Sequence, residues 1–530
     1  MHVPESMFVR SSDRPRSSRS LTLVARIALV AILLAPLGVV AAQAQAAPAG
    51  YNQSVDVWDR AVGRADCRAG DRAEKGIQGD VPLEDRKSGR STKGYNCNID
   101  LVGQYQGDGA GIVSPSYKNC SYVSTTFPTN FAGSHGPGVR VIDNSVPENP
   151  KQTATLNELG VVTGTWESLK VNAKRGLLVG TSVPVGIGFG YIAIYDIATD
   201  CTRPRLLNPG TGTALGMPIP ITTHEGDFSP DGKTYWASGP VAGHLSAVDI
   251  TDPANPMVVW SGSTGIFGHG VGFSPDGRQL YASTVAGITV IDVSAIQDRK
   301  PRTVVTAPVP HVGRQFWLDG IITQHSIYAT YGGKPYVYVV DEAGSGGVKL
   351  LALSDLSNLK LRNQIKLEIN LPKNANRWAQ SATSNGVFGY DAHYCSIDRP
   401  IEPTAMACGW IQSGIRVFDI RDPDRIREIA YFNPPAQTGK NLQLPNSTHA
   451  LLGSIVAPPI LNTLQIARSI LQGQAPVNGI INDQSRLLGA DLSADWCMSP
   501  PEFRGNDLMV SCMDNGFMRL RIDPKAYSPR

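Results

Sequence analysis

The sequence predicts an all-β fold, a seven-bladed β-propeller, and three observations predict it: a strand pattern that recurs, a turn at fixed offsets, and a third strand found seven times. The repeat is clearest in residues 269–293. There Val271 and Phe273 alternate up to Ser274-Pro275-Asp276-Gly277, a turn in which Pro presets its dihedral and Gly accepts positive φ. Leu280-Tyr281-Ala282-Ser283 forms a second strand, Gly287 breaks the run, and Ile288-Thr289-Val290-Ile291-Asp292-Val293 reads as a half-buried third. Arg302 to Val305 is read as the fourth. Four short antiparallel strands in about 45 residues make one propeller blade, which cannot bury its faces alone and must stack on copies of itself.

The third strand supplies the count. It recurs as Gly138-Val139-Arg140-Val141-Ile142-Asp143, Ile192-Ala193-Ile194-Tyr195-Asp196-Ile197, residues 246–253, 288–293 and 348–355, Gly414-Ile415-Arg416-Val417-Phe418-Asp419, and residues 517–524. Several copies end on an Asp followed by Asp-Pro or Asn-Pro. A carboxylate bonding nearby turn amides explains this better than a calcium site does, because turns use Asp routinely.

In chain order, residues 1–46 read as a secretory signal peptide. Arg10, Arg14, Arg16, Arg19 and Arg26 make a basic leader, residues 27–42 an apolar run interrupted by Pro36, and Ala44-Gln45-Ala46 a cleavage signal, with no lipid-bearing Cys after it. The run is too short and weakly flanked for a stable membrane span, and a retained anchor is the alternative. The whole chain carries a net charge of +3, but the mature part holds 43 basic and 43 acidic residues. A neutral protein lacks the electrostatic footprint of a nucleic-acid or anionic-lipid binder. A secreted, periplasmic or cell-surface monomer is expected.

Residues 47–97 are rich in Gly and charge and read as an N-terminal arm; residues 98–530 form the propeller. Residues 99–106 resemble the last strand of a later blade, Glu428-Ile429-Ala430-Tyr431-Phe432. They are therefore assigned to the outer edge of the final blade, closing the ring without an exposed sheet edge. An insertion at 435–490 precedes the last blade. It is expected to be partly helical, since Ile460, Leu464, Ala467 and Leu471 recur at helical spacing after Pro458-Pro459. It is either a lid over the face where inner strands begin or a filler on the ring's side.

GVRVID, GITVID and GIRVFDIRDP resemble the LVIVD repeat of secreted bacterial β-propeller proteins, and FSPDG with a following Tyr-x-Ser is similar to the blades of YVTN-type propellers. The likeness covers roughly 98–434 and 491–523. It implies the fold and is nearly silent on activity.

All eight cysteines, an even number, fall after the leader, and in an exported protein they read as disulfides. Cys408 and Cys512 each stand 11 residues before a strand-ending Asp (Asp419, Asp523), and Cys395 and Cys497 match on the first strands. Register thus predicts Cys395–Cys408 and Cys497–Cys512. For the other four, Cys97 with Cys120 and Cys67 with Cys201 is preferred among three pairings, since it would staple the arm to the first two blades.

His224, His269 and His325 each stand eight residues before a turn glycine, Gly232, Gly277 and Gly333. His393 precedes the first strand of blade six by two residues before Cys395, and Asp495 holds the same place before Cys497. Four imidazoles at the starts of the strands lining a tunnel are a candidate cage for a divalent or redox metal, with Asp495 completing the arc. His311 and His449 fall in a loop and in the insertion and are set aside. Asp341 and Glu342 point apart on a strand and cannot form a carboxylate pair by themselves. The chain has no G-x-S-x-G elbow, no H-E-x-x-H and no Walker loop, so hydrolase, zincin and nucleotide readings lack a motif. Two functions remain: a disulfide-stabilised binding module for a protein, glycan or small molecule, which the sequence favours, and a metal-dependent propeller enzyme of lyase, lactonase or oxidase class.

Overall fold

The computed structural model describes residues 58–529, apart from 126–137, 163, 183–189, 210–211, 216–222, 241–242, 265–266, 384–387, 441–442 and 451–490. Its strands form seven antiparallel sheets in a ring, a seven-bladed β-propeller. Blade one spans 116–156, blade two 170–215, blade three 225–263, blade four 268–316, blade five 321–365, blade six 394–433 and blade seven 502–522. The third strands are Val139–Asp143, Gly190–Asp196, His244–Asp249, Gly287–Asp292, Gly347–Ala352, Ile415–Asp419 and Gly516–Ile522, one for each copy read in the sequence.

Local chemistry explains the repeat. Gly232 and Gly277 both sit at φ +71°, and each donates its amide to the serine three residues back, Ser229 and Ser274. Only glycine takes that conformation without strain. In every blade an Asp at or after the end of the third strand accepts the amide two residues on, as Asp143 does from Ser145 at 2.9 Å and Asp523 from Lys525 at 2.8 Å. These carboxylates are turn formers.

The apolar faces of neighbouring blades meet. Leu177 and Ile192 of blade two pack with Tyr235 and Val248 of blade three, and Trp236 and Leu245 of blade three with Val271 and Leu280 of blade four. Each fully buried aliphatic side chain contributes about 1.5–3 kcal/mol.

Ile99–Tyr105 pairs with Gly516–Ile522 and closes blade seven from the N-terminal side, as its likeness to a blade's last strand predicts. The arm goes further than expected. Tyr95–Cys97 adds a fifth strand to blade six, satisfying edge amides that would otherwise be open. The buried Arg416 holds Glu74 of the arm together with Glu428 of its own blade.

Two expectations are corrected. The outer strand of blade four is His311–Phe316, not 302–305, so His311 lies in a strand. Val305 instead donates its amide to Val259 of blade three. The bridges of the first four cysteines are Cys67–Cys97 and Cys120–Cys201. Cys97 is fixed on blade six and Cys120 on blade one, with blade seven between them, whereas a disulfide needs Cα atoms within about 7 Å. The observed Cα separations are 4.9 and 5.8 Å. The register-based bridges, Cys395–Cys408 and Cys497–Cys512, are present. The helical spacing at Ile460, Leu464, Ala467 and Leu471 falls outside the described residues.

Candidate metal centre

The inner strands and the residues just before them bring the four histidines into one cluster. His224 directly precedes the strand Glu225–Phe228 and donates its amide to Ser238. His269 and His325 sit where the first strands of blades four and five lose register with their neighbours. Such bulges re-aim side chains beside functional sites. His393 precedes Tyr394–Ile397 and donates its amide to Gly409 at 2.9 Å.

Three buried glutamates that the sequence reading did not select link these imidazoles. Glu167 approaches His224 Nε2 at 3.0 Å through Oε2 and His393 Nε2 at 3.5 Å through Oε1. Glu342 approaches His393 Nε2 at 2.9 Å and His269 Nε2 at 3.3 Å. Glu225 lies 3.0 Å from His269 Nδ1 and 3.6 Å from His325 Nδ1. Imidazole and carboxylate alternate across five blades' worth of chain, each glutamate reaching two rings with separate oxygens.

Glu225 also accepts the Tyr394 hydroxyl, which in turn accepts Lys170 Nζ at 2.8 Å. Gly270 makes room for it: a Cβ there would stand 2.2 Å from both Glu225 carboxylate oxygens. Trp166, at φ +44° and 4.8 Å from the His224 ring, lies beside the cluster. A bulky residue at positive φ is strained, and such strain collects at functional sites.

Electrostatics bind the cluster tightly. Burial works to lower the His269 pKa, but Glu342 and Glu225 outweigh it and hold the imidazole well above its usual range. Burial works to raise Glu225 and Glu342, yet the surrounding histidines, with Lys170 for Glu225, hold both well below the carboxylate range. Three buried carboxylates thus face one ammonium and four imidazoles.

The geometry fits an ion. Two ligand atoms about 2.1 Å from one zinc-like ion at near-tetrahedral or octahedral angles stand roughly 3.0–3.4 Å apart. The nitrogen–oxygen separations around Glu167 and Glu342 run from 2.9 to 3.5 Å. Among the described residues, Glu167 groups with His224 and His269, and again with Glu342 and His393, in sets whose ligand atoms lie within 4.8 Å of one another. His224, His269 and His393 therefore converge with Glu167 and Glu342, and His325 joins through Glu225. Exposure is uneven: the His224 and His325 side chains are 21% and 12% open, His269 and His393 only 2% and 0%.

Asp495 does not complete the arc. Its oxygens accept the amides of Trp496, Asp514 and Asn515 and the Asn515 side chain, so it braces the chain turn of blade seven. His449, set aside in the sequence, is buried, bonded to Asp514 at 2.7 Å and stacked on Trp496. The grouping of Asp495 with Cys497 and Cys512 holds no ion, because both sulfurs are in a disulfide.

The three glutamates share no sequence pattern. Glu225 adjoins His224, which was a usable signal. Asp341 and Glu342 do point apart: Asp341 turns to Lys349, and Glu342 to the histidines. Glu167 lies outside any strand, in an isolated bridge to Glu225, and carries no pattern.

No family model and no curated protein matches the chain. Among solved structures it is similar to a periplasmic gluconolactonase of Pseudomonas aeruginosa, at 14% identity and a TM-score of 0.42 over 60% of this chain and 82% of that one. It is also similar to a putative 6-phosphogluconolactonase of Bacteroides fragilis, at 13% and 0.41 over 59% and 81%. The computationally designed Ika8 protein gives 9% and 0.39 over 80% and 99%. Likenesses this distant carry no argument about activity, and the propeller rests on its own seven sheets. Among the described residues no helix is long and apolar enough to cross a membrane.

Proposed function

We propose that this propeller is a metal-dependent enzyme of an oxidising compartment, with a divalent ion held on the tunnel axis by His224, His269, His393, Glu167 and Glu342. The observation that carries this reading is His393. Its Nδ1 lies 3.0 Å from the Met498 carbonyl, which only accepts, so Nδ1 carries the hydrogen. Nε2 then faces Glu342 and Glu167 oxygens at 2.9 and 3.5 Å. Among the described residues neither Nε2 nor Glu167 Oε2 has a hydrogen-bond partner, although both are buried. Lone pairs crowded in this way are stabilised by a cation between them.

A donor set of imidazoles and carboxylates without thiolate suits zinc, iron or manganese. When bound, such an ion supplies Lewis acidity or redox capacity. The chain's own groups prepare the place. Glu225 orients His269 through Nδ1, and Met498 orients His393, as outer partners orient metal-bound histidines generally. One divalent ion with Lys170 would balance the three carboxylates. Closure around His269 and His393 excludes water on one side, while His224, His325 and Trp166 leave the other side open to a small-molecule substrate.

The four disulfides support an oxidising location, and the leader and the LVIVD-like repeat support export. The test is metal analysis of the untagged mature protein. One ion per chain, lost in His269→Ala, is expected. A metal-free protein that takes up no added zinc, iron or manganese would return the reading to a binding module for a protein, glycan or small molecule.

A further inference from the structure

Resting on the metal reading above, we propose that the disulfides Cys395–Cys408 and Cys497–Cys512 are positioning elements for the ligand His393, so that the ion binds with full affinity only after both have formed. His393 is held at two points besides its place in the chain. Its amide donates to Gly409 O at 2.9 Å, and Gly409 follows Cys408. Its ring Nδ1 is 3.0 Å from Met498 O, and Met498 follows Cys497. Each anchor is thus one residue from a bridged cysteine, and His393 itself is two residues from Cys395.

The bridges lock the elements that carry these anchors. Cys395 and Cys408 are direct partners on the first two strands of blade six, next to the pair Tyr394 and Gly409. Cys497 donates its amide to Ile411 O at 2.9 Å and is bonded to Cys512 on the second strand of blade seven. The two blades touch at this place: a Cβ on Gly409 would stand 2.7 Å from both Cys497 O and Ser499 O. The other bridges lie elsewhere, Cys67–Cys97 in the arm and Cys120–Cys201 between blades one and two.

A ligand needs placing within about 0.5 Å, and losing an outer support typically costs a metal site 10–100-fold in affinity. Each bridge forms by thiol–disulfide exchange. Two cysteine thiols reduce an external disulfide donor to its dithiol, the two hydrogens passing to the donor. The four sulfur-bearing residues are at most 2% exposed, so exchange belongs to assembly, before the blades close. Oxidation followed by metal uptake is the resulting order, which places completion of the site after export.

The test measures zinc affinity by chelator competition in three double variants of the mature protein. Cys395→Ala/Cys408→Ala and Cys497→Ala/Cys512→Ala are each expected to bind zinc 10–100-fold more weakly than wild type, and Cys120→Ala/Cys201→Ala to bind it as wild type does. Native circular dichroism is required of all three. Wild-type affinity in both site variants, or an equal fall in the control, overturns the proposal. Wild-type protein that binds no zinc overturns the metal reading instead. Should a site variant fail to fold, wild type is refolded with a disulfide donor and samples are alkylated over time. Zinc uptake should lag formation of both bridges, and full zinc content while either cysteine pair still alkylates overturns the order.

Discussion

Two buried charge clusters in this ring behave differently. In blade five, Asp341 pairs with Lys349 and Asp319 with Lys366. Asp341 also accepts Trp317 and Thr323, and Asp319 accepts the Trp58 amide and Gln364. Two ammoniums meet two carboxylates, and all four oxygens have donors. On the axis, three carboxylates meet one ammonium; His269 is bonded to Glu225 at 3.0 Å, but His393 Nε2 and Glu167 Oε2 have no hydrogen-bond partner among the described residues. The first cluster is complete within the chain; the second is short of positive charge. Burial of ionisable groups is common to both, so the imbalance, not the burial, marks the functional site.

The comparison breaks most visibly under substitution. Lys349→Met leaves Asp341 buried without its ammonium and is expected to cost about 3–5 kcal/mol in urea unfolding. Glu167→Gln, which removes surplus negative charge, is expected to leave the metal-free protein within about 0.5 kcal/mol of wild type. A loss as large as that of Lys349→Met would make the axial cluster a second structural network.

Zinc at 100 times its dissociation constant should stabilise wild type by about 2.7 kcal/mol, read as a rise in Tm. Glu167→Gln and His269→Ala should show no such rise, and the blade-five cluster should be indifferent to zinc.

Proton release sharpens the contrast next. In the metal-free protein His269 is held well above its usual range, so the folded state binds its proton more tightly than the unfolded chain. The stabilisation from this is complete below about pH 6.5 and fades as pH rises through the elevated value. Glu225 and Glu342, depressed, contribute above about pH 4.3 and lose that contribution as pH falls through their low values. Metal-free stability should therefore peak between those limits. Zinc binding at pH 7 should expel about one proton, measured by calorimetry in buffers of different ionisation enthalpy. Uptake without proton release would show that His269 is neutral before the ion arrives.

The smallest effect concerns Glu502 on the inner strand of blade seven, which has no imidazole partner. Burial pushes it up to about 7, against the opposing pull of Arg504. Its stabilising share is present below about pH 4.3 and lost as pH climbs through that raised value. Glu502→Gln should gain about 1 kcal/mol at pH 8 and almost nothing below about pH 4; the figure is kept small because the side chain is 26% open to water.

Much of the architecture was legible in the chain. Turn glycines at Gly232 and Gly277, strand-ending aspartates and the seven third strands are local rules repeated, and repetition itself specifies stacking. The same register placed Cys395 with Cys408 and Cys497 with Cys512; His224, His269 and His393 do stand at or just before the starts of inner strands, whereas His325 is the fifth residue of its own. Where the repeat was absent, sequence had no ruler. The arm's cysteines found other partners, residues 302–305 bonded to the neighbouring blade instead of closing their own, and Asp495 spent its oxygens on backbone amides.

What the sequence determined by itself was the set of positions each blade presents to the axis, because period and register are properties of the chain. The identity of the groups that meet there was decided by tertiary structure alone. Glu167 comes from a connecting segment bridged to Glu225, Glu225 from an inner strand and Glu342 from a second strand. Only closure of the ring brings their carboxylates within 3.6 Å of imidazoles from four blades, since charge complementarity acts between side chains that no periodicity connects.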